Sequence, residues 1–511
     1  MSFLQNVNAE QVKIYFENLM AGKDNMYTNY HNHSFRSIQP YPLTMDLNEA
    51  VSLNGGLCTW SPNGRYLALV ASRTRLIIRD SSDLQVLRSE VVIFTASQNS
   101  QSSDGTINKM QFSPDSEFIL VANFKLGVTQ IFRVLHSDWK AKITEGPSGL
   151  VDIDFCPDSK HLISFADFNV KLTIWSLVDK RTRYIKFPKS KECVKFSKNG
   201  KFLAVVERRD GRDYVTLFTC EDWNVYHHFE VDFLNTAKGC GGVCWSPTST
   251  EICLYSDHLE YECHVYSIPS GQRLMVYKAD KSSFGIGIRK VVWSPCGKVL
   301  GVGGGDSKLR LFNSLNWSLI AELQISHQFT KQDKTHIYEE KEISIQDVDI
   351  DIKIAKEWTS KRIDTQYVSI DKRPVQLAQT KSSKSVVELY GIKDIKFSPN
   401  GLYMAIINDS MSTSVYIFDV INLRVDTVLA HRYPVIKCEW GPGKDKSQLM
   451  ILTQDDGILH AYTPHGVACL GLPTINKDYE AHEIVWNPKG KAIALVGKTS
   501  VVCCRIGSDS K

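Results

Sequence analysis

Three groups of residues in this 511-residue chain have types and spacings that invite a chemical reading. The first is Gly301-Val-Gly-Gly-Gly-Asp306, which has the glycine density of a phosphate cradle. A phosphate loop needs a following Gly-Lys-Ser/Thr and a helix that opens there, and neither is present, so these glycines read as small residues of a packed strand and turn. The second group is the histidines. His31 and His33, and His227 and His228, lie in pairs without cysteine or carboxylate partners at zinc-ligand offsets. No Gly-x-Ser-x-Gly elbow occurs. The expectation is therefore a protein with no catalytic residues, no metal site and no cofactor. The third group, Glu207-Arg208-Arg209-Asp210-Gly211-Arg212-Asp213, packs charge into seven residues. Dense charge at a loop tip serves either plain solvation or recognition of a partner, because arginine is enriched in protein interfaces. On the recognition reading Arg208 and Arg209 are the anchors and Asp210 and Asp213 the counter-charges, with Glu207 and Arg212 completing the patch.

The elements that must position this patch repeat along the chain. The phrase aromatic, Ser-Pro or a variant, then Asn, Asp or Gly occurs at Trp60-Ser61-Pro62-Asn63-Gly64, Phe112-Ser113-Pro114-Asp115 and Phe155-Cys156-Pro157-Asp158. It recurs at Phe196-Ser197-Lys198-Asn199-Gly200, Trp245-Ser246-Pro247 and Trp293-Ser294-Pro295-Cys296-Gly297. Phe397-Ser398-Pro399-Asn400-Gly401, Trp440-Gly441-Pro442 and Trp486-Asn487-Pro488-Lys489-Gly490 complete nine copies. The aromatics stand 41 to 52 residues apart, save one gap of 104. That is the period of a four-strand propeller blade. Each copy holds an alternating strand, a tight turn in which Pro fixes φ and Gly accepts positive φ, and further apolar strands such as Phe202-Leu-Ala-Val-Val206. No stretch is left for crossover helices.

The fold class is therefore all-β: a WD-repeat-type β-propeller, read as one large ring of eight or nine blades, with two fused unequal propellers as the alternative. A strand from about residues 44–56 is expected to pair into the last blade and close the ring. No Trp-Asp dipeptide occurs, and Ala430-His431 is the nearest approach to the Gly-His that often precedes a repeat. The expected organisation is an N-terminal extension (1–43), blades 1–6 (44–326), an inter-blade insert (327–388) and blades 7–9 (389–508).

Sixty basic and 56 acidic residues give a net charge of +4, no general field for nucleic acid or an anionic membrane. Thirteen cysteines form no C-x-x-C pair, and Cys58, Cys244, Cys253 and Cys438 sit in apolar runs, as reduced thiols do. The opening Met1-Ser-Phe-Leu-Gln-Asn has neither the basic nor the apolar stretch of a secretory signal, and no run approaches the roughly 20 apolar residues that span a bilayer. A cytosolic or nuclear location is expected.

Outside the repeat, Val12, Tyr15, Phe16 and Leu19 could share one face of a short helix, so residues 1–43 are either a disordered tail or a docking segment. The insert carries balanced charge, as in Glu339-Glu-Lys-Glu342, and reads as a long mobile loop. Within it Val348, Ile350, Ile352 and Ile354 alternate with polar residues and could pair with a neighbouring blade or with a partner's sheet.

Several inter-repeat segments carry a more specific likeness. They are Leu57-Cys-Thr-Trp-Ser-Pro-Asn-Gly-Arg-Tyr-Leu-Ala68, Asp138-Trp-Lys-Ala-Lys-Ile143, Leu172-Thr-Ile-Trp-Ser-Leu177 with Tyr184-Ile-Lys-Phe-Pro-Lys189, and Gly285-Ile-Gly-Ile-Arg-Lys-Val-Val-Trp-Ser-Pro295. From about Met45 onward the chain resembles the WD-repeat-containing protein eight family of centrosomal and spindle-pole proteins. The resemblance implies a non-enzymatic scaffold at the centrosome, centriolar satellites, spindle pole and basal body. It also implies a coiled-coil anchoring partner, a minus-end-directed kinesin as a further partner, and roles in minus-end anchoring, spindle and cilium assembly. A large propeller serving translation or RNA processing is the competing reading, and a continuous basic stripe would favour it.

Overall fold

The computed structural model describes residues 45–47, 51–94, 105–233, 239–256, 261–279, 287–342, 365–380, 391–454, 457–472 and 479–506. Extension residues 1–43 and the alternating run 348–354 lie outside them.

The described residues form nine blades in one closed ring. Eight blades are antiparallel four-strand sheets in simple up-and-down order, or contain one: 58–91, 109–144, 152–186, 194–231, 240–278, 288–324, 392–430 and 435–471. The ninth has three strands of its own, Ala481–Trp486, Ala492–Gly497 and Ser500–Ile506. Its fourth strand comes from the other end of the chain: Met45–Leu47 and Val51–Ser52 pair antiparallel with Ser500–Ile506. The ring is thus closed by the expected N-terminal strand, and the two-propeller alternative is set aside.

The repeated phrase explains the geometry. In blade 1, Ser61 Oγ accepts the Tyr66 N–H (2.9 Å) and donates to Asn63 Oδ1 (2.8 Å), which accepts the Arg65 N–H (2.9 Å). Gly64 closes the turn at φ +66. In blade 2 the glycine's place is taken by Ser116 at φ 65, whose Oγ accepts the Asn63 N–H of blade 1 (3.1 Å). Ser159 does the same for Asp115 and Ser249 for Asn199, each at 3.0 Å. The turns of adjacent blades are stitched together.

The core is distributed around the ring. Nine buried apolar clusters occupy the nine seams, each drawing on two consecutive blades, including the closing seam between blades 9 and 1. The motif aromatics stand in these seams. Each tryptophan also reaches back along the ring with its indole N–H. Trp60 donates to the carbonyl of Val485 (3.1 Å), Trp245 to Lys195 (2.9 Å), Trp293 to Cys244 (3.4 Å), Trp440 to Lys396 (2.9 Å) and Trp486 to Glu439 (3.4 Å). The acceptor is always the residue just before the preceding blade's motif aromatic. Phe112, Phe155, Phe196 and Phe397 fill the same place without a donor.

The glycine run proves to be a packing device. A β-carbon on Gly303 would lie 2.8 Å from side-chain atoms of Ile392 and Ile395 in blade 7, and one on Gly304 would lie 2.4 Å from the Tyr261 ring. Small residues let blade 7 approach closely across the insertion point.

The insert departs from the expected loop. His336–Glu342 pairs in parallel with Arg424–Ala430 and antiparallel with Thr365–Ser369, extending blade 7 to six strands. Phe329, Ile337 and Leu377 from this segment are buried in the seam cluster of blades 6 and 7. Its charge run misled because a half-buried outer strand alternates: Glu340 turns inward while Glu342 stays exposed.

Candidate functional site

Up-and-down strands place the second-to-third-strand turns and the inter-blade links on one face of the ring, and the Ser-Pro turns on the other. The Glu207–Asp213 segment is such a second-to-third-strand turn. It joins Phe202–Arg209 to Arg212–Thr219, the two eight-residue strands of blade 4, so the hairpin stands tall on the loop face. Asp210 at φ 50 and Gly211 at φ 79 make its tip, the two positive-φ residues that a tight hairpin of native twist requires.

The structure divides the six predicted contact residues. Glu207 and Asp213 are only 3% and 4% exposed and serve as supports, not as contact residues. Glu207 accepts a hydrogen bond from Thr216 Oγ1 (2.8 Å) and pairs with Arg209. Asp213 accepts the Cys240 N–H (2.6 Å), pairs with Lys189 (2.8 Å) and lies 3.8 Å from Arg208. Buried carboxylates need such partners, and here they tie the hairpin base to blade 5 and to the link from blade 3. Arg208 is half-buried by this, which leaves Arg209, Asp210 and Arg212 as the exposed side chains. The Arg212–Glu230 pair (3.2 Å) is exposed and holds little energy.

Beside the hairpin lies a feature that sequence reading missed. On the same face of blade 3, Val151, Phe168, Val170 and Phe187 are all exposed, Phe168 at 89%. Phe168 and Phe187 are held at φ 55 and φ 58, a region costly for bulky L-residues. The hydrogen bonds that hold them are specific. Phe168 N–H goes to Asp167 Oδ1 (2.9 Å), Asn169 Nδ2 to the Lys189 carbonyl (3.1 Å), and Phe187 N–H to the Val170 carbonyl (3.3 Å). Arg208 N–H then donates to the Phe187 carbonyl (3.2 Å), which joins the apolar patch to the charged hairpin. Exposed Lys186, Lys191, Arg209 and Arg212 stand around it together with exposed Asp167, Glu192, Asp210 and Glu230, a mixed charged rim. An apolar patch with a charged rim is the make-up of a protein-binding surface. The available signal was Asp167-Phe-Asn169, where Asn and Asp favour left-handed turns, which puts the intervening Phe outside the sheet.

A second polar constellation lies inside the molecule, between blades 7 and 8. Glu340 of the insert, His431 and His460 are all buried, with ligand-capable atoms within 4.8 Å of one another. The Tyr367 hydroxyl stands 2.9 Å from His431 Nδ1 and 3.1 Å from His460 Nδ1. Glu340 Oε2 accepts the Arg432 N–H (3.0 Å). Glu340 Oε1 and His431 Nε2 have no partner. Burial, with His460 adding to it, holds the His431 imidazole well below the usual histidine range, hence neutral. These residues come from separate strands, so no local spacing in the sequence could have shown them together.

Among the described residues no helix is long and apolar enough to cross a membrane. All thirteen cysteines are free thiols.

Comparison with known proteins follows the geometry. No protein-family model matches the chain. WD repeat-containing protein WRAP73 of Mus musculus is 31% identical over 467 residues, 90% of this chain and 96% of that protein. An uncharacterized WD repeat-containing protein of Schizosaccharomyces pombe is 21% identical over 402 residues, 77% of this chain and 76% of its own length. Among solved structures, the C-terminal WD40 domain of Sif2 matches with a TM-score of 0.47 at 13% identity, covering 90% of this chain and 99% of that one. At 31% identity over 90% of this chain and 96% of the mouse protein, the protein belongs to the WRAP73 family of WD-repeat proteins.

Proposed function

We propose that the protein is a non-enzymatic scaffold of the centrosome, spindle pole and basal body, anchoring microtubule minus ends through partners that it gathers on one face of its ring. The observation that carries the reading is the exposed patch of Val151, Phe168, Val170 and Phe187 beside Arg209 and Arg212. Apolar side chains held out on a rigid frame, inside a charged rim, suit a partner helix with an apolar stripe and charged flanks. The coiled-coil anchoring protein expected from the family likeness has surfaces of that kind, and a minus-end-directed kinesin remains the expected further partner. The catalytic alternative finds no support in the glycine run, which is filled by neighbouring blades.

The test is the position of a tagged copy in dividing cells with microtubules and RNA co-stained. RNase-resistant foci at spindle poles and basal bodies are expected. A second reading, an RNA-associated propeller, draws on the lysines and arginines of the same rim with its exposed Phe168, Tyr184 and Phe187. A diffuse or ribosome-associated signal that RNase removes would favour it and overturn the first.

A further inference from the structure

The buried cluster at the junction of the insert with blades 7 and 8 is arranged as metal sites are. Each of two members has one polar atom held and the other left open. His431 is oriented through Nδ1 by Tyr367, and its Nε2 is bare; Glu340 is fixed through Oε2 by the Arg432 N–H, and its Oε1 is bare. His460 completes the group, bounded by Thr453 Oγ1 (3.3 Å) at Nε2 and by Tyr367 and Cys469 Sγ (3.7 Å) at Nδ1. Second-layer bonds that fix a ligand's orientation are the usual construction of a protein metal site, and here His431 Nδ1 and Glu340 Oε2 lie 3.9 Å apart. The side chains of Glu340 and His431 are fully buried, where a polar atom without a partner is costly.

We propose that Glu340, His431 and His460 bind a divalent ion of the zinc class as a structural clamp. Two imidazoles and a carboxylate are ligands that zinc accepts. The three side chains come from the insert strand His336–Glu342, the link after Arg424–Ala430 and the blade 8 strand Ile458–Thr463. A shared ion would pin the insert against two blades and explain why a carboxylate is buried in that strand.

The experiment uses the purified full chain, freed of metal by a chelator and reconstituted with Zn²⁺ alone. Metal content is read by mass spectrometry, affinity by competition with a chromogenic chelator, and stability by thermal melting with zinc or chelator. One zinc per chain is expected, with a higher melting temperature in zinc than in chelator. Glu340→Gln and His460→Gln should each bind at least about tenfold more weakly, and their melting should not respond to zinc. In chelator, Glu340→Gln should melt no lower than wild type, since it replaces a buried charge, one of whose oxygens has no partner, by a neutral amide that can keep the bond from Arg432 N–H; this separates lost binding from lost folding. Absence of stoichiometric zinc in the wild-type chain overturns the proposal. So does zinc binding that both variants retain, which would put the ion on the cysteine thiols.

Discussion

The nine seams of the ring are of two kinds. Five carry a tryptophan whose indole N–H is bonded to the preceding blade: 9/1, 4/5, 5/6, 7/8 and 8/9. The other four, 1/2, 2/3, 3/4 and 6/7, have phenylalanine there. Phenylalanine gives comparable apolar contact but no directional bond; charge pairs cross two of these seams, as Lys396–Glu439 also crosses the Trp440 seam. Lys109 of blade 2 reaches Asp152 and Asp154 of blade 3 at 2.6 and 2.5 Å, while Arg289 of blade 6 reaches Asp409 of blade 7 at 2.5 Å and Lys290 reaches Asp394 at 2.9 Å. Three of the phenylalanine seams are contiguous, and the exposed Phe168–Phe187 patch stands at the end of that arc. Where the chain closes on itself, successive indoles lock blades 8, 9 and 1. Along blades 1 to 4 the seams rely on apolar packing, with the Lys109 charge pairs at seam 2/3. Closure and presentation are assigned to different arcs of one ring.

The largest expected effect is on closure. Trp60→Ala removes a large side chain and the bond to Val485 at the seam where the chain ends meet. It should cost about 3–5 kcal/mol in denaturant unfolding. A loss below about 1 kcal/mol would remove the distinction between seam types. Trp440→Phe isolates the hydrogen bond, leaving the Lys396 carbonyl without its indole donor, and should cost about 1–2 kcal/mol. An unchanged midpoint would reduce the indole to packing alone.

Thiol exchange sharpens the comparison without mutation. Burial pushes the Cys220 thiol at seam 3/4 and the Cys503 thiol at seam 9/1 alike up to about 12. At pH 8 neither reacts while closed, so labelling by a maleimide, followed by mass spectrometry, reports opening. Cys220 should label faster than Cys503. Equal rates would contradict the account of the two arcs.

The smallest effect on stability should come with a clear effect on binding. Phe168→Asn relieves a bulky residue at positive φ and should stabilise the fold by up to about 1 kcal/mol, read by thermal melting. It should also weaken partner capture. A variant that lost stability would mean that Phe168 serves the fold rather than the surface.

Much of the ring was legible because the motif combines a period with a turn chemistry: Trp60-Ser-Pro-Asn-Gly64 and its copies narrowed the ring to eight or nine blades, and the strand near Met45 followed from the need to close the last blade. Trp or Phe in each copy was also visible, but the acceptor for each indole lies in another repeat. The candidate site was half legible. The hairpin tip at Asp210-Gly211 could be read from its composition, whereas the burial of Glu207 and Asp213 depends on Thr216, Lys189 and the Cys240 backbone. Phe168 is turned outward by its backbone conformation, which apolar alternation does not encode. Glu340 was hidden in a charge run whose alternation only the pairing with blade 7 reveals.

The central claim is that the loop face of blades 3 and 4 recruits the protein to the spindle pole. The most direct measurement compares wild type with the Phe168→Asp, Phe187→Asp double variant, both tagged, in dividing cells, after thermal melting has shown the two to be equally folded. Wild type is predicted to concentrate at the poles and the variant to be dispersed. A variant that occupies the poles as fully as wild type, or a wild type that never reaches them, would contradict the account.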